Sequence, residues 1–139
     1  PEVDRSYVLT AGELYGGQEA SGEPVAQVFN GRAFQYDADP LNARVGERVR
    51  FWLLDAGPDE PLSFHVVGGQ FDTVWSEGAY RVGGPDRVGG PDAGSQALGL
   101  QPAQGGFVEL TFPEAGHYPF VNHVMTRAEQ GAHGIVRVR

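Results

Sequence analysis

Short stretches of alternating apolar and polar residues recur along the chain and predict β-strands. The clearest alternation covers residues 107–112, and similar stretches occupy residues 48–54, 62–67 and 134–139. Alternation with a period of two places one face of a strand against a core and the other towards solvent. No stretch sustains the helical period of about 3.6 residues, so no helix longer than two turns is expected.

Residues that reverse the chain direction separate these stretches. Three glycine-containing pairs are turn signals: Gly16-Gly17, Asn30-Gly31 and Gly68-Gly69. Residues 18–23 form a predicted polar loop, and residues 78–106, where Arg-Val-Gly-Gly-Pro-Asp occurs twice, form a predicted loop-rich insertion. Strands and turns at this density favour an all-β Greek-key sandwich of about eight to ten short strands. We expect one domain over residues 1–139.

The composition excludes several classes of protein. The 139 residues carry a formal charge of −8, which argues against nucleic acid or an anionic membrane as a partner. Cysteine is absent, which excludes disulfides, thiolate catalysis and zinc-thiolate sites. No apolar run is long enough to span a membrane, and no signal-peptide pattern is present. A chain that begins at Pro1 is expected to be processed or part of something larger.

The histidines are the main candidates for chemistry. His65 lies inside a predicted strand, and His123 ends the extended segment that follows the turn at 113–116. His117 and His133 flank His123 in the sequence. Imidazole nitrogens bind copper and zinc. Spacing alone nevertheless favours hydrogen-bonded structural roles over a metal site, because no closely spaced pair of histidines is present.

Several blocks of the sequence resemble the second cupredoxin domain of copper-containing nitrite reductases, which are similar to multicopper oxidases. The blocks keep the order and spacing of that domain over roughly residues 5–139, so the resemblance is specific. They are Val28-Phe-Asn-Gly31, Ala43-Arg-Val-Gly-Glu-Arg-Val49, Phe64-His-Val-Val-Gly-Gly-Gln-Phe-Asp-Thr-Val-Trp75, Pro113-Glu-Ala-Gly-His-Tyr-Pro-Phe-Val-Asn-His123 and Glu129-Gln-Gly-Ala-His-Gly134. The resemblance implies a cupredoxin-like fold.

The resemblance also implies a copper site that is shared between domains or subunits. In that family, a type 1 copper passes an electron to a type 2 copper between the subunits of a trimer, and the second domain supplies one histidine ligand. This ligand corresponds to His123. His65 corresponds to the active-site histidine that relays protons to nitrite, and it is also a weak candidate for a ligand. His133 is a further weak candidate for a ligand.

The resemblance sets the expected cofactor, partners and location. The cofactor is type 2 copper, without type 1 copper, and the partner is a homotrimer or a companion cupredoxin domain. The location is the periplasm or the outside of the cell. Gln70 replaces the family's common second histidine after Gly68-Gly69. A single histidine ligand cannot hold a catalytic copper, so we do not expect this chain alone to reduce nitrite.

Two functions remain open at this point. In the first, the chain supplies His123 and His65 to a shared copper site, which predicts a trimer or an apolar patch where a partner domain docks. In the second, the chain is a structural or interaction module with a vestigial metal site, and neighbouring groups satisfy both histidines. A stand-alone blue-copper protein is rejected, because that centre needs a cysteine thiolate. The sequence does not decide whether the chain is part of an enzyme.

Overall fold

The computed structural model describes residues 1–16 and 22–139. Residues 17–21, which include Gly17 and most of the predicted loop at 18–23, lie outside the described residues. The described part of the chain forms eleven β-strands in two facing sheets, together with two short helices. The all-β Greek-key sandwich predicted from the sequence is confirmed.

The two sheets contain six and five strands. In chain order the strands are β1 (Arg5–Tyr15), β2 (Pro24–Phe29), β3 (Leu41–Ala43), β4 (Arg48–Gly57), β5 (Leu62–Val66), β6 (Thr73–Ser76), β7 (Ala79–Val82), β8 (Leu98–Leu100), β9 (Gly105–Thr111), β10 (Gly116–Asn122) and β11 (His133–Val138). The helices are α1 (Gln35–Ala38) and α2 (Met125–Glu129). The first sheet has the order β2-β1-β4-β9-β6-β7, and the second has the order β3-β11-β10-β5-β8.

The structure has more strands than the sequence predicts. Two of the additional strands, β7 and β8, lie within the predicted loop-rich insertion at 78–106. They contain four and three residues, which is too short for an alternating pattern to be visible in the sequence. Both helices are shorter than two turns, as expected. Among the described residues, no helix has the length and apolar character needed to cross a membrane.

A cluster of phenylalanines joins the two sheets. Phe51 of the first sheet contacts Phe64 of the second, with 5.7 Å between the ring centroids. Phe29 of the first sheet contacts Phe120 of the second at 5.5 Å. All four rings are buried, and burial of each stabilises the fold by roughly 1.5–3 kcal/mol. The cluster therefore holds β5 and β10, which carry or precede the two candidate histidines, firmly against the first sheet.

The outer face of the first sheet carries an unusual apolar row. Five large side chains lie side by side on five adjacent strands: Val8, Trp52, Phe107, Trp75 and Tyr80. The Phe107 ring stacks on Trp75 at 5.7 Å and meets the edge of Trp52 at 4.9 Å. Val8, Trp52 and Tyr80 stay exposed. An outward face of a sandwich usually carries polar residues, so this apolar row is a candidate contact surface.

A polar row lies beside the apolar row on the same face. It pairs Ser6 with Arg50, Arg50 with Glu109, and Glu109 with Thr73 across four strands. The Arg50 guanidinium carbon lies 4.6 Å from the centroid of the Phe107 ring, and its Nη2 lies 3.4 Å from Glu109 Oε2. Arg50 therefore links the two rows through a cation–π contact and an ion pair.

Gly134 in β11 is required by the packing of the core. It lies opposite Phe120 of β10, and a Cβ atom at this position would overlap the Phe120 ring. The ring thus occupies the space that any other residue would need for its side chain. Gly99 in β8 provides a contrast, because a Cβ atom there meets no described atom within 4 Å.

We predict that Gly134→Ala destabilises the fold through this overlap. The expected loss in the free energy of unfolding is about 2 kcal/mol or more, measured by urea unfolding. Gly99→Ala is the matched control and should change the free energy by less than about 1 kcal/mol. Equal stabilities of the two variants would contradict this account of the core.

Candidate functional site

The structure brings together His65 and His123, two of the four histidines. His65 lies in β5 opposite Val121 of β10, and His123 directly follows the last residue of β10. Phe64 and Val66 point into the core, so the alternation of the strand turns His65 to the outer face of the second sheet. The ring centroids of His65 and His123 are 5.4 Å apart, and their planes are inclined at 73°.

The two imidazoles line an open pocket on this outer face. The pocket has a volume of about 260 Å³, and its lining residues are Ser63, His65, Gln96, Ala97 and His123. The side chain of His65 is partly exposed, and that of His123 is exposed. A molecule or a neighbouring chain can therefore reach both rings from solvent.

A backbone carbonyl fixes the orientation of the His65 ring. His65 Nδ1 lies 2.5 Å from the carbonyl oxygen of Gln96. A carbonyl oxygen only accepts hydrogen bonds, so Nδ1 carries the hydrogen and donates it. In the neutral ring, Nε2 then keeps the free lone pair and is the atom that can accept a proton or bind a metal. The sequence contains no signal for this contact, because the partner is a backbone atom in the insertion.

Asn122 fixes the backbone that carries His123. Its side chain is buried, and its Oδ1 accepts hydrogen bonds from the backbone N–H of Ser63 at 3.0 Å and of Val124 at 3.2 Å. Its Nδ2 donates to the carbonyl oxygen of Pro61 at 3.2 Å. The His123 N–H donates to the Ser63 carbonyl oxygen at 2.7 Å. These bonds extend the contact between β10 and β5 beyond the last paired residues, Asn122 and Phe64. Because β5 also carries His65, the two strands fix His123 in position relative to His65.

The other two histidines lie away from the pocket. His117 is exposed near the start of β10, at the opposite end of that strand from His123. His133, a weak candidate ligand from the sequence, is separated from His65 by Val121, because Val121 pairs with His65 on one side and His133 on the other. His133 Nδ1 lies 2.6 Å from Asp37 Oδ1, which ties β11 to α1. This geometry gives His133 a structural partner and adds no support for its role as a ligand.

The donor set of the pocket fits part of a metal site. Within residues 1–16 and 22–139, no group of three or more histidine and acidic side chains is arranged to hold a metal ion. Two imidazoles suit copper or zinc, but a stable site needs further ligands. The pocket is open, so those ligands can come from a second chain or domain. Gln70, which replaces a family histidine, does not line the pocket.

Solved structures with the same fold identify the class of domain. The copper nitrite reductase of Nitrosomonas europaea superposes with a TM-score of 0.85 and 29% identity, covering 100% of this chain and 50% of that chain. The copper-containing nitrite reductase of Thermus scotoductus gives a TM-score of 0.82 and 29% identity, over 99% of this chain and 31% of that one. A multicopper oxidase gives a TM-score of 0.82 at 24% identity, which supports the fold alone. The chain is a cupredoxin-like domain of the kind found in these proteins.

The sequences of curated proteins give the same result. The copper-containing nitrite reductase of Neisseria gonorrhoeae is 30% identical over 99% of this chain and 37% of its own length. That of Neorhizobium galegae is 30% identical over 83% of this chain and 28% of its own length. No protein-family model matches the chain. The chain therefore spans less than two fifths of these relatives.

We predict that Asn122→Ala destabilises the fold and the His123 segment. The change removes three partly buried hydrogen bonds and leaves the N–H groups of Ser63 and Val124 and the Pro61 carbonyl without their partner. The expected loss in the free energy of unfolding is about 2–4 kcal/mol, measured by urea unfolding. The exposed Asn42 is a matched control, and Asn42→Ala should cost less than about 1 kcal/mol. A loss for Asn122→Ala as small as that of the control would refute this role.

Proposed function

We propose that this chain is a domain of a copper nitrite reductase-like protein and supplies His123 and His65 to a type 2 copper site shared between domains or subunits. One observation carries the proposal. The two histidines that match the family motif share one open pocket, although 58 positions separate them in the sequence. The similarity to copper nitrite reductases over the whole chain supports the same assignment.

The two histidines have different roles in this proposal. His123 is the ligand, because its ring is exposed and makes no hydrogen bond with any described residue. His65 is the proton carrier, because its Nδ1 is held by Gln96 while Nε2 is left to take up or release a proton. Copper supplies Lewis acidity and a change of oxidation state when it is bound. Within residues 1–16 and 22–139 the remaining ligands are not assembled, so in this proposal the chain alone does not reduce nitrite.

The proposal includes a partner, either two further copies of this chain or a companion cupredoxin domain. The chain spans half of the Nitrosomonas europaea structure, so that relative contains about as much again outside the match. The apolar row, where Trp52 and Tyr80 stay exposed, supports the docking of a further unit on the first sheet, on the face opposite the pocket. By the same resemblance, we propose a location in the periplasm or outside the cell.

The alternative function is a structural or interaction module with a vestigial metal site. The observation in its favour is that the pocket brings only two metal-binding side chains together among the described residues. A vestigial site would bind no copper with useful affinity. The same titration therefore separates the two functions.

The test is a copper titration of the purified chain, followed by electron paramagnetic resonance and sedimentation on the same sample. The proposal expects a type 2 signal that saturates at about one copper per three chains in a trimer, or a weak signal that strengthens when a companion domain is supplied. A metal-free monomer with no specific copper signal under both conditions would favour the structural module.

We predict that His123→Ala abolishes specific copper binding while leaving the fold intact, because the residue is exposed and its ring makes no hydrogen bond to a described residue. His117→Ala is the matched control, since His117 is also exposed but lies at the other end of β10. His65→Gln should weaken copper binding by about tenfold. Unchanged copper affinity in His123→Ala would refute the assignment of the ligand.

A further inference from the structure

A pair of buried carboxyl groups lies outside the proposed copper site. Asp55 near the end of β4 is 2% exposed, and Glu13 near the end of β1 is 7% exposed. The two strands are parallel neighbours, and their register shifts between Ala11 and Gly12, just before Glu13. Two carboxyl groups buried near each other are costly for a fold unless hydrogen bonds satisfy them or one of them is protonated.

Glu13 holds the loop that follows β4. Its Oε1 accepts hydrogen bonds from the backbone N–H of Asp59 at 2.5 Å and of Glu60 at 3.0 Å. The same oxygen accepts a third bond, from the Tyr15 hydroxyl at 3.0 Å. Asp55 Oδ1 accepts from the Gly57 N–H at 3.0 Å at the start of this loop. Glu13 therefore fixes the backbone of the loop at 58–61, and Asp55 fixes the residue that precedes it.

The charge state of Asp55 depends on this arrangement. Burial raises the pKa of the Asp55 carboxyl to about 6, the hydrogen bond from Gly57 opposes the shift, and the charge of Glu13 adds to it. The second oxygen, Oδ2, is buried and has no hydrogen-bond partner among the described residues. Residues 101–104, which bond to the backbone of Asp55, contain no ionisable side chain. Among the described residues, Asp55 forms no ion pair, and no cation contributes to its pKa shift.

The remaining charged groups of the loop point to other partners. The Asp59 carboxyl accepts from the Tyr15 hydroxyl at 3.3 Å. Glu60 forms an ion pair with Arg127 of α2, and the carbonyl of Pro61 accepts from Asn122. His123 lies between Asn122 and α2 in the chain. The loop thus connects the buried carboxyl pair to both sides of the His123 segment.

We propose that Asp55 and Glu13 are positioning residues: Glu13 holds the loop at 58–61 through its hydrogen bonds, and the state of protonation of Asp55 controls how firmly that loop holds the His123 segment. With Asp55 neutral, the loop amides stay hydrogen-bonded to Glu13. The Glu60 carboxylate then keeps its ion pair with Arg127, and the Pro61 carbonyl keeps its hydrogen bond from Asn122. With Asp55 ionised, its charge faces the Glu13 carboxyl, and the loop opens more often. The link to copper rests on the proposed function, but the opening of the loop does not.

The sign of the pH effect follows from the pKa of Asp55. The closed loop keeps a proton on Asp55 up to a pH of about 6, whereas an opened loop lets it ionise near its ordinary value of 3.8. The closed loop is therefore most stable below pH 3.8, where Asp55 is protonated in both states. This stability is lost as the pH rises through the pKa of about 6 that Asp55 has in the closed loop. Between pH 5 and pH 7.5 the equilibrium should shift about tenfold towards opening.

Residue-resolved amide hydrogen exchange on the metal-free chain tests the proposal. Three backbone amides report on it: those of Asp59 and Glu60, which donate to Glu13, and that of Ser63, which donates to Asn122. After correction for the intrinsic rate, exchange at these amides should be about tenfold faster at pH 7.5 than at pH 5. Asp55→Asn should abolish this dependence, because the amide oxygen can still accept from Gly57 while the charge is gone.

Two further variants complete the design. Asp86→Asn changes an exposed carboxyl and should keep the full dependence on pH. Glu13→Gln keeps an oxygen for the loop amides and should reduce the dependence, which covers the case in which Asp55→Asn does not fold. A wild-type response in both Asp55→Asn and Glu13→Gln would overturn the proposal. Copper binding that survives His123→Ala would overturn the proposed function instead, without affecting the exchange result.

Discussion

The antiparallel pairing of β5 with β10 is the constraint on which the site depends. Phe64 pairs with Asn122, His65 with Val121, and Val66 with Phe120. A slip of one residue would turn His65 into the core and the neighbouring phenylalanine out to solvent. Burial of the aromatic side chains on the inner face therefore fixes the register, and the register places His65 on the outside beside His123. The chemistry of the outer face is set by the packing of the inner face.

The same constraint explains why the pocket is only part of a site. A sheet can present two rings on neighbouring strands, but further donors at the correct angle must come from loops or from another chain. The nearby loop offers the backbone of Gln96, which orients His65 but occupies one of its nitrogens. The pocket thus provides an oriented base and an exposed ligand, and its opening faces away from the protein's own core.

Part of the fold and of the candidate site could be predicted from the sequence. Alternation located the long strands, because their burial on one face requires it, and the family motifs identified His65 and His123 from their matching positions. β7 and β8 were missed, since strands of four and three residues show no period and depend on a neighbouring strand for their pairing. The Gln96 carbonyl was missed because a backbone atom has no sequence signature. The proximity of Glu13 to Asp55 was missed because their strands, β1 and β4, lie far apart in the sequence and become neighbours through a parallel pairing.

The relative positions of the pocket and the apolar row also limit which contacts a ring of three copies of this chain can use. The pocket lies on the outer face of the second sheet and the apolar row lies on the outer face of the first, so the two point in opposite directions. In a closed ring of three copies, the neighbours of one copy lie about 60° apart as seen from it. The two opposite faces therefore cannot both be contacts within one such ring. If a second copy completes the copper site at the pocket, the apolar row stays outside that contact and is the surface left for a companion domain.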